Sequence, residues 1–118
     1  LLVGAPSADV RATDGGAVFG YSGRSLQQIA PQSGNTFQEN FGLSVAALDG
    51  DWDGDGRDDY VAGSYRNDDG AGFEAGSLFV INRFGNVIRR FDGAPGQHFG
   101  LQVTGGGDVD GDGLMEVA

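Results

Sequence analysis

The sequence contains no cysteine, no lysine, one histidine, three prolines and no apolar run near the roughly 18 residues of a membrane-spanning helix. Each absence removes a class of protein. Without cysteine there is neither a disulfide framework nor a thiolate metal site, and cysteine usage says nothing of the redox compartment. Seven arginines are the whole basic complement against 17 acids, and the formal charge is −10. No basic face is available for phosphates, so nucleic acid is not an expected partner. No membrane insertion is expected, and Leu1-Leu2-Val3-Gly4-Ala5-Pro6 lacks the charged start of a secretion signal, so the chain reads as a mature, soluble piece. A single histidine without cysteine or lysine leaves few nucleophile–base pairings for catalysis.

What is abundant is glycine, 23 of 118 residues, in a chain that is 39% apolar. The glycines show no Gly-X-Y period and are interleaved with Val, Leu, Phe and Tyr, which excludes collagen and disorder and suits short strands joined by tight turns. A repeat is visible. Phe41-Gly42-Leu43 returns as Phe99-Gly100-Leu101, 58 residues on, and Asp51-Trp52-Asp53-Gly54-Asp55-Gly56 returns as Asp108-Val109-Asp110-Gly111-Asp112-Gly113, 57 residues on. The start matches the later part of the same unit, Gly4-Ala5-Pro6 paralleling Gly63-Ser64-Tyr65, and Gly16-Ala17-Val18-Phe19 paralleling Gly76-Ser77-Leu78-Phe79. The chain therefore divides into the C-terminal part of one unit (1–34), a complete unit (35–93) and the N-terminal part of a third (94–118). Within the complete unit, apolar stretches around 41–48, 59–65, 76–82 and 86–91 read as four strands, and no 3.6-residue stripe predicts a helix. A four-stranded antiparallel sheet recurring at this period describes a β-propeller blade more naturally than a sandwich, so the expected fold is all-β, about two blade-equivalents of a larger or oligomeric propeller.

The acids are concentrated in the segments 51–59 and 108–116. In the first, Asp51, Asp53, Asp55 and Asp59 occupy positions 1, 3, 5 and 9, with glycines between them. Alternate residues of a tight loop can aim inward, glycine supplies positive φ, and the carbonyl of Arg57 at position 7 can complete a shell of about five to seven oxygens, close to the roughly six to eight that calcium takes. The alternative, a solvated acidic turn, must hold like charges together between apolar strands, at about 1 kcal/mol or more per pair. The second loop offers Asp108, Asp110, Asp112, the Leu114 carbonyl and Glu116, whose longer arm replaces aspartate at position 9. An EF-hand fails, since position 12 from Asp51 is Ala62 and strands flank the loop. All-oxygen ligation disfavours zinc or copper, and magnesium prefers fewer protein oxygens. Two calcium ions are expected.

Phe41-Gly42, the Asp51–Asp59 loop and Gly4-Ala5-Pro6 with its counterpart Gly63-Ser64-Tyr65 together resemble the FG-GAP repeats of integrin alpha-chain propellers, over essentially the whole chain. The resemblance implies that the calcium loop joins the first and second strands of a blade. It also implies an extracellular setting and a non-enzymatic role in adhesion or in recognition of a protein or glycan. Calcium outside cells, abundant enough to fill weak loop sites, points the same way. Further blades, from the same longer chain or from other copies, are the expected partners. Loops 7–15 and 66–75, with Arg11 and Arg66, are candidate ligand contacts. Calcium-dependent lyases and phospholipases that carry similar repeats provide an enzymatic alternative, and a self-assembling sheath or filament provides a structural one. His98 reads as a turn or packing residue, and Phe41, Phe79 and Phe99 as blade packing. Trp52 is open to a partner contact, because Val109 stands at its equivalent position.

Overall fold

The computed structural model describes residues 1–34, 39–68 and 72–105. Asp108, Asp110, Asp112, Leu114 and Glu116 lie outside them. β1 (Leu2–Ala5), β2 (Ala17–Tyr21) and β3 (Gln28–Ser33) form one sheet, and β4 (Val45–Ala47), β5 (Tyr60–Ser64), β6 (Ser77–Ile81) and β7 (Val87–Asp92) form a second. Both sheets are antiparallel meanders in chain order, and the described residues contain no helix. The architecture is all-β, two blades of a partial propeller. Three of the four apolar stretches in the complete unit contain β4, β5 and β6, and the fourth covers all of β7 but its last residue, Asp92.

The strands form where β-branched and aromatic residues cluster, as in Tyr60-Val61 and Leu78-Phe79-Val80-Ile81. Side-chain alternation then sends successive residues to opposite faces. Tyr60, Ala62 and Ile81 of the second blade meet Val18 of the first and Phe41 in one core cluster, with Leu2, Val45 and Phe79 packed against it. Val61, Leu78 and Val80 join Leu48 on the other face, with Ala46, Trp52, Ile88 and Val103 around them. Because both faces are covered, β5 is buried at every position, while the outermost strand β7 is largely exposed.

The seam between units is built from backbone. Phe41 N–H donates to the Gly15 carbonyl at 3.0 Å and Phe99 N–H to the Ala75 carbonyl at 2.9 Å, so the Phe-Gly landmark makes the same parallel bridge in both units. Gly42 and Gly100 take φ of 83° and 81°, in the region where only glycine is unstrained. At this bend a Cβ on Gly4 would collide with the Gly42 carbonyl, and one on Gly63 with the Gly100 carbonyl. Phe41 meets Phe79 edge to face, with centroids 5.4 Å apart, and Arg90 lies over Phe79. Packing of Phe41 and Phe79 agrees with the sequence. Phe99 differs, since it shares the backbone position of Phe41 yet stays 41% exposed, against 4%, because no described sheet lies over it as the second blade lies over Phe41.

A polar chain runs beside this seam. The buried Asn67 amide donates to Glu39 Oε1 at 2.6 Å and accepts from Arg90 at 3.0 Å, and Arg90 also bonds Ser77 and Asp92. Burial disfavours the Asp92 anion, but hydrogen bonds from Ser77 and Arg90 and the Arg90 charge outweigh it and lower its pKa. The backbone contact at Gly63 allows a direct check. Gly63→Ala should lower the free energy of unfolding by about 2 kcal/mol or more, an overpacking cost. Gly23→Ala, with open space around the added methyl, should stay within about 0.5 kcal/mol. Equal urea midpoints for the two variants would contradict the seam.

Candidate metal centre

The acidic loop lies between β4 and β5. Its base is closed by two bonds, Leu48 N–H to the Asp59 carbonyl at 2.9 Å and Asp59 N–H to the Gly50 carbonyl at 3.1 Å. Leu48 is fully buried, so the hydrophobic core anchors the loop at its entry. Gly54 and Gly56 have φ of 81° and 82° and open space around them; the reversed backbone, rather than crowding, calls for glycine at both.

The turn is organised by its own carboxylates. Asp51 Oδ1 accepts the Gly54 and Asp55 N–H groups at 2.6 and 3.0 Å, and its Oδ2 accepts that of Gly56 at 2.6 Å. The Gly56 bond, then those from Gly54, Asp55 and Asp53, outweigh partial burial and hold Asp51 below the usual carboxylate pKa. Asp53 Oδ1 accepts from Asp55 N–H at 3.1 Å, and Asp55 Oδ1 from Arg57 N–H at 2.9 Å.

Asp59 is the outlier. It is 2% exposed, and its Oδ2 accepts Trp52 N–H at 2.7 Å, yet among the described residues its buried Oδ1 has no hydrogen-bond partner. Burial, partly offset by the Trp52 bond and reinforced by the charges of Asp53, Asp51 and Asp55, raises its pKa. Oxygens of Asp51, Asp53 and Asp59 lie within 4.8 Å of one another. Unscreened by a cation, each such pair costs on the order of 1 kcal/mol even at the dielectric of water. A buried acceptor without a donor, set among anions, has the chemistry of a ligand for a hard cation, and the donor set fits one.

The structure thus gathers Asp51, Asp53 and Asp59, while the exposed Asp55 caps the turn and is outside this group. Trp52 packs, partly buried, on the Leu48, Val61, Leu78 and Val80 cluster, which gives it a structural place. His98 sits in a turn, with φ of 52°, its N–H on the Glu74 carbonyl at 3.1 Å and its ring nitrogen 3.0 Å from Glu74 Oε2. Arg66 approaches the same carboxylate at 3.4 Å. One neighbour of the acidic loop escaped the sequence reading: Asn82, at the end of β6, donates through Nδ2 to Asp53 Oδ2 at 2.8 Å. It lies outside the loop's own spacing pattern, and no local signal marks it.

The raised pKa of Asp59 has a definite sign. An acid titrating higher in the folded than in the unfolded state opposes folding at neutral pH, and the penalty disappears as pH falls through the folded value toward the ordinary 3.8. In chelator, Asp59→Asn should therefore be more stable than the unaltered chain at pH 7, the difference closing as pH approaches 3.8. Denaturant unfolding at several pH values measures this; a pH-independent difference would sink the assignment.

No protein-family model matches the chain. It is 33% identical to human integrin alpha-E (Homo sapiens) over 136 aligned residues, which take in 99% of this chain and 11% of that protein. Almost the whole chain, with both sheets and the acidic loop, is thus similar to a short stretch of an integrin alpha chain.

Proposed function

We propose that this chain is a calcium-stabilised, FG-GAP-type propeller module for extracellular adhesion or recognition, without enzymatic activity. The carrying observation is the buried, unpartnered Oδ1 of Asp59 beside the Asp51 and Asp53 carboxylates. In this reading Asp51, Asp53, Asp55, Asp59 and the Arg57 carbonyl hold one calcium. By the same spacing, Asp108, Asp110, Asp112, Glu116 and the Leu114 carbonyl hold a second. Calcium when bound supplies positive charge among the carboxylates; the protein closes the loop base and orients the carboxylates. The likeness to an integrin alpha chain supports a cell-surface or secreted setting and the adhesive role.

Blade boundaries at 1–34, 35–93 and 94–118 follow the repeat. Further blades, from a longer chain or from other copies, would cover Phe99, which is exposed where its counterpart Phe41 is buried. A protein or glycan ligand would use loops 7–15 and 66–75, where Phe73 is largely exposed beside the Arg66–Glu74–His98 cluster.

Calcium at a hundred times its Kd should add about 2.7 kcal/mol per site to the stability of the folded chain. A melting temperature that chelator leaves unmoved would refute the calcium reading. Titration calorimetry should show two sites, and Asp53→Ala should remove or weaken one; unchanged stoichiometry and affinity would refute the ligand assignment. If further copies supply the missing neighbours, sedimentation in calcium should give a mass well above 12.2 kDa. A well-folded species at that mass would rule out self-assembly.

A further inference from the structure

We infer that Asn82 is a positioning residue for the metal centre and links its occupancy to the β6–β7 hairpin, an inference that rests on the calcium reading above. Asn82 is 7% exposed at the end of β6, and its amide is committed at both ends. Oδ1 accepts the Phe84 and Asn86 N–H groups, both at 3.0 Å, within the hairpin turn. Its backbone closes the same turn, with Asn82 N–H on the Asn86 carbonyl and Gly85 N–H on the Asn82 carbonyl, both at 2.9 Å. With two donors facing Oδ1, the Nδ2 group is the end left for Asp53, and it donates to Oδ2 at 2.8 Å.

The consequence for Asp53 is conformational. It is an exposed residue on a glycine-rich turn, and a carboxylate so placed samples several rotamers. Asp55 N–H holds its Oδ1, and the Asn82 bond to Oδ2 fixes the second oxygen, in the arrangement that groups Asp53 with Asp51 and Asp59. A neutral amide suits this task, because a lysine or arginine at the same place would cancel the negative charge that attracts a cation. The corresponding hairpin of the first sheet, β2–β3, shows that turn closure alone does not require asparagine. There Ser22 follows β2, and its Oγ accepts the Arg24 and Ser25 N–H groups, both at 3.3 Å. Serine closes that turn with no amide to extend beyond it, so the donor that reaches Asp53 is what asparagine adds.

The test uses Tb3+ as a calcium surrogate, excited through Trp52, the chain's single tryptophan, which sits inside the first loop. Asn82→Ser in the full chain should keep the urea midpoint measured in chelator and shift half-saturation by Tb3+ about 10–100-fold upward, the usual effect of losing an outer-shell partner. Unchanged half-saturation, with normal binding by the unaltered chain, overturns the role of Asn82 and leaves the calcium reading standing. A weakened site accompanied by an equally lowered midpoint in chelator also overturns it, since general destabilisation then suffices. Absence of Tb3+ and calcium binding by the unaltered chain overturns both readings. Hydrogen exchange on the unaltered chain avoids any folding defect of the variant: calcium should slow the Phe84 and Asn86 amides but not those of Arg24 and Ser25. Equal response of the two hairpins, or none, overturns the link.

Discussion

Backbone meets backbone where one unit joins the next, and the remaining structure is arranged around that contact. The Gly42 and Gly100 carbonyls occupy the space in which any side chain at Gly4 or Gly63 would stand. Only paired glycines permit this approach, one with positive φ to bend the Phe-Gly corner and one without a Cβ to receive it. The contact sets how closely successive sheets lie. It carries Phe41 against Phe79 and allows a single apolar cluster to draw on β2, β5 and β6 together.

Burial on both faces of β5 has an electrostatic cost at its entry. Asp59 immediately precedes Tyr60, so the residue that closes the acidic loop is drawn into the interior with it. Its carbonyl and N–H are used to close the loop base, and one carboxylate oxygen is used by Trp52, leaving the other without a donor among the described residues and beside two further anions. The same packing that stabilises the blade thereby leaves an unmet demand for positive charge at the loop. The sheet core and the acidic loop are for this reason parts of one arrangement, with Leu48 and Trp52 on the apolar side and Asp51 and Asp53 on the polar side.

The two units also show how similar backbone carries different side-chain chemistry. Asn40 and His98 occupy matching turns, with φ of 53° and 52° and N–H bonds of 3.1 Å to the Asp14 and Glu74 carbonyls. Asn40 reaches the Pro6 carbonyl at 3.1 Å, whereas His98 pairs with the Glu74 carboxylate. The hydrogen bond from His98, ahead of the charges of His98 and Arg66, lowers the Glu74 pKa against partial burial. At this position the main chain is the same in both units and the side chain alone differs.

Much of this was legible in the sequence because it is local. Strand alternation, the Phe-Gly landmark and the 1, 3, 5, 9 spacing of aspartates each reside within about ten residues, where backbone geometry alone dictates periodicity and turning. The sequence by itself therefore determined the repeat, the four strands of the complete blade and the loop whose acids are candidates for calcium. Only the tertiary structure decided which of those acids is dehydrated, because Asp59 leads into β5, which is buried along its whole length. It also decided that Asn82 serves Asp53 from 29 residues away and that Asn67 spans 28 residues to Glu39. A hydrogen bond between segments that distant leaves no period in the chain; it exists only once the apolar faces have packed and fixed the distance between its partners.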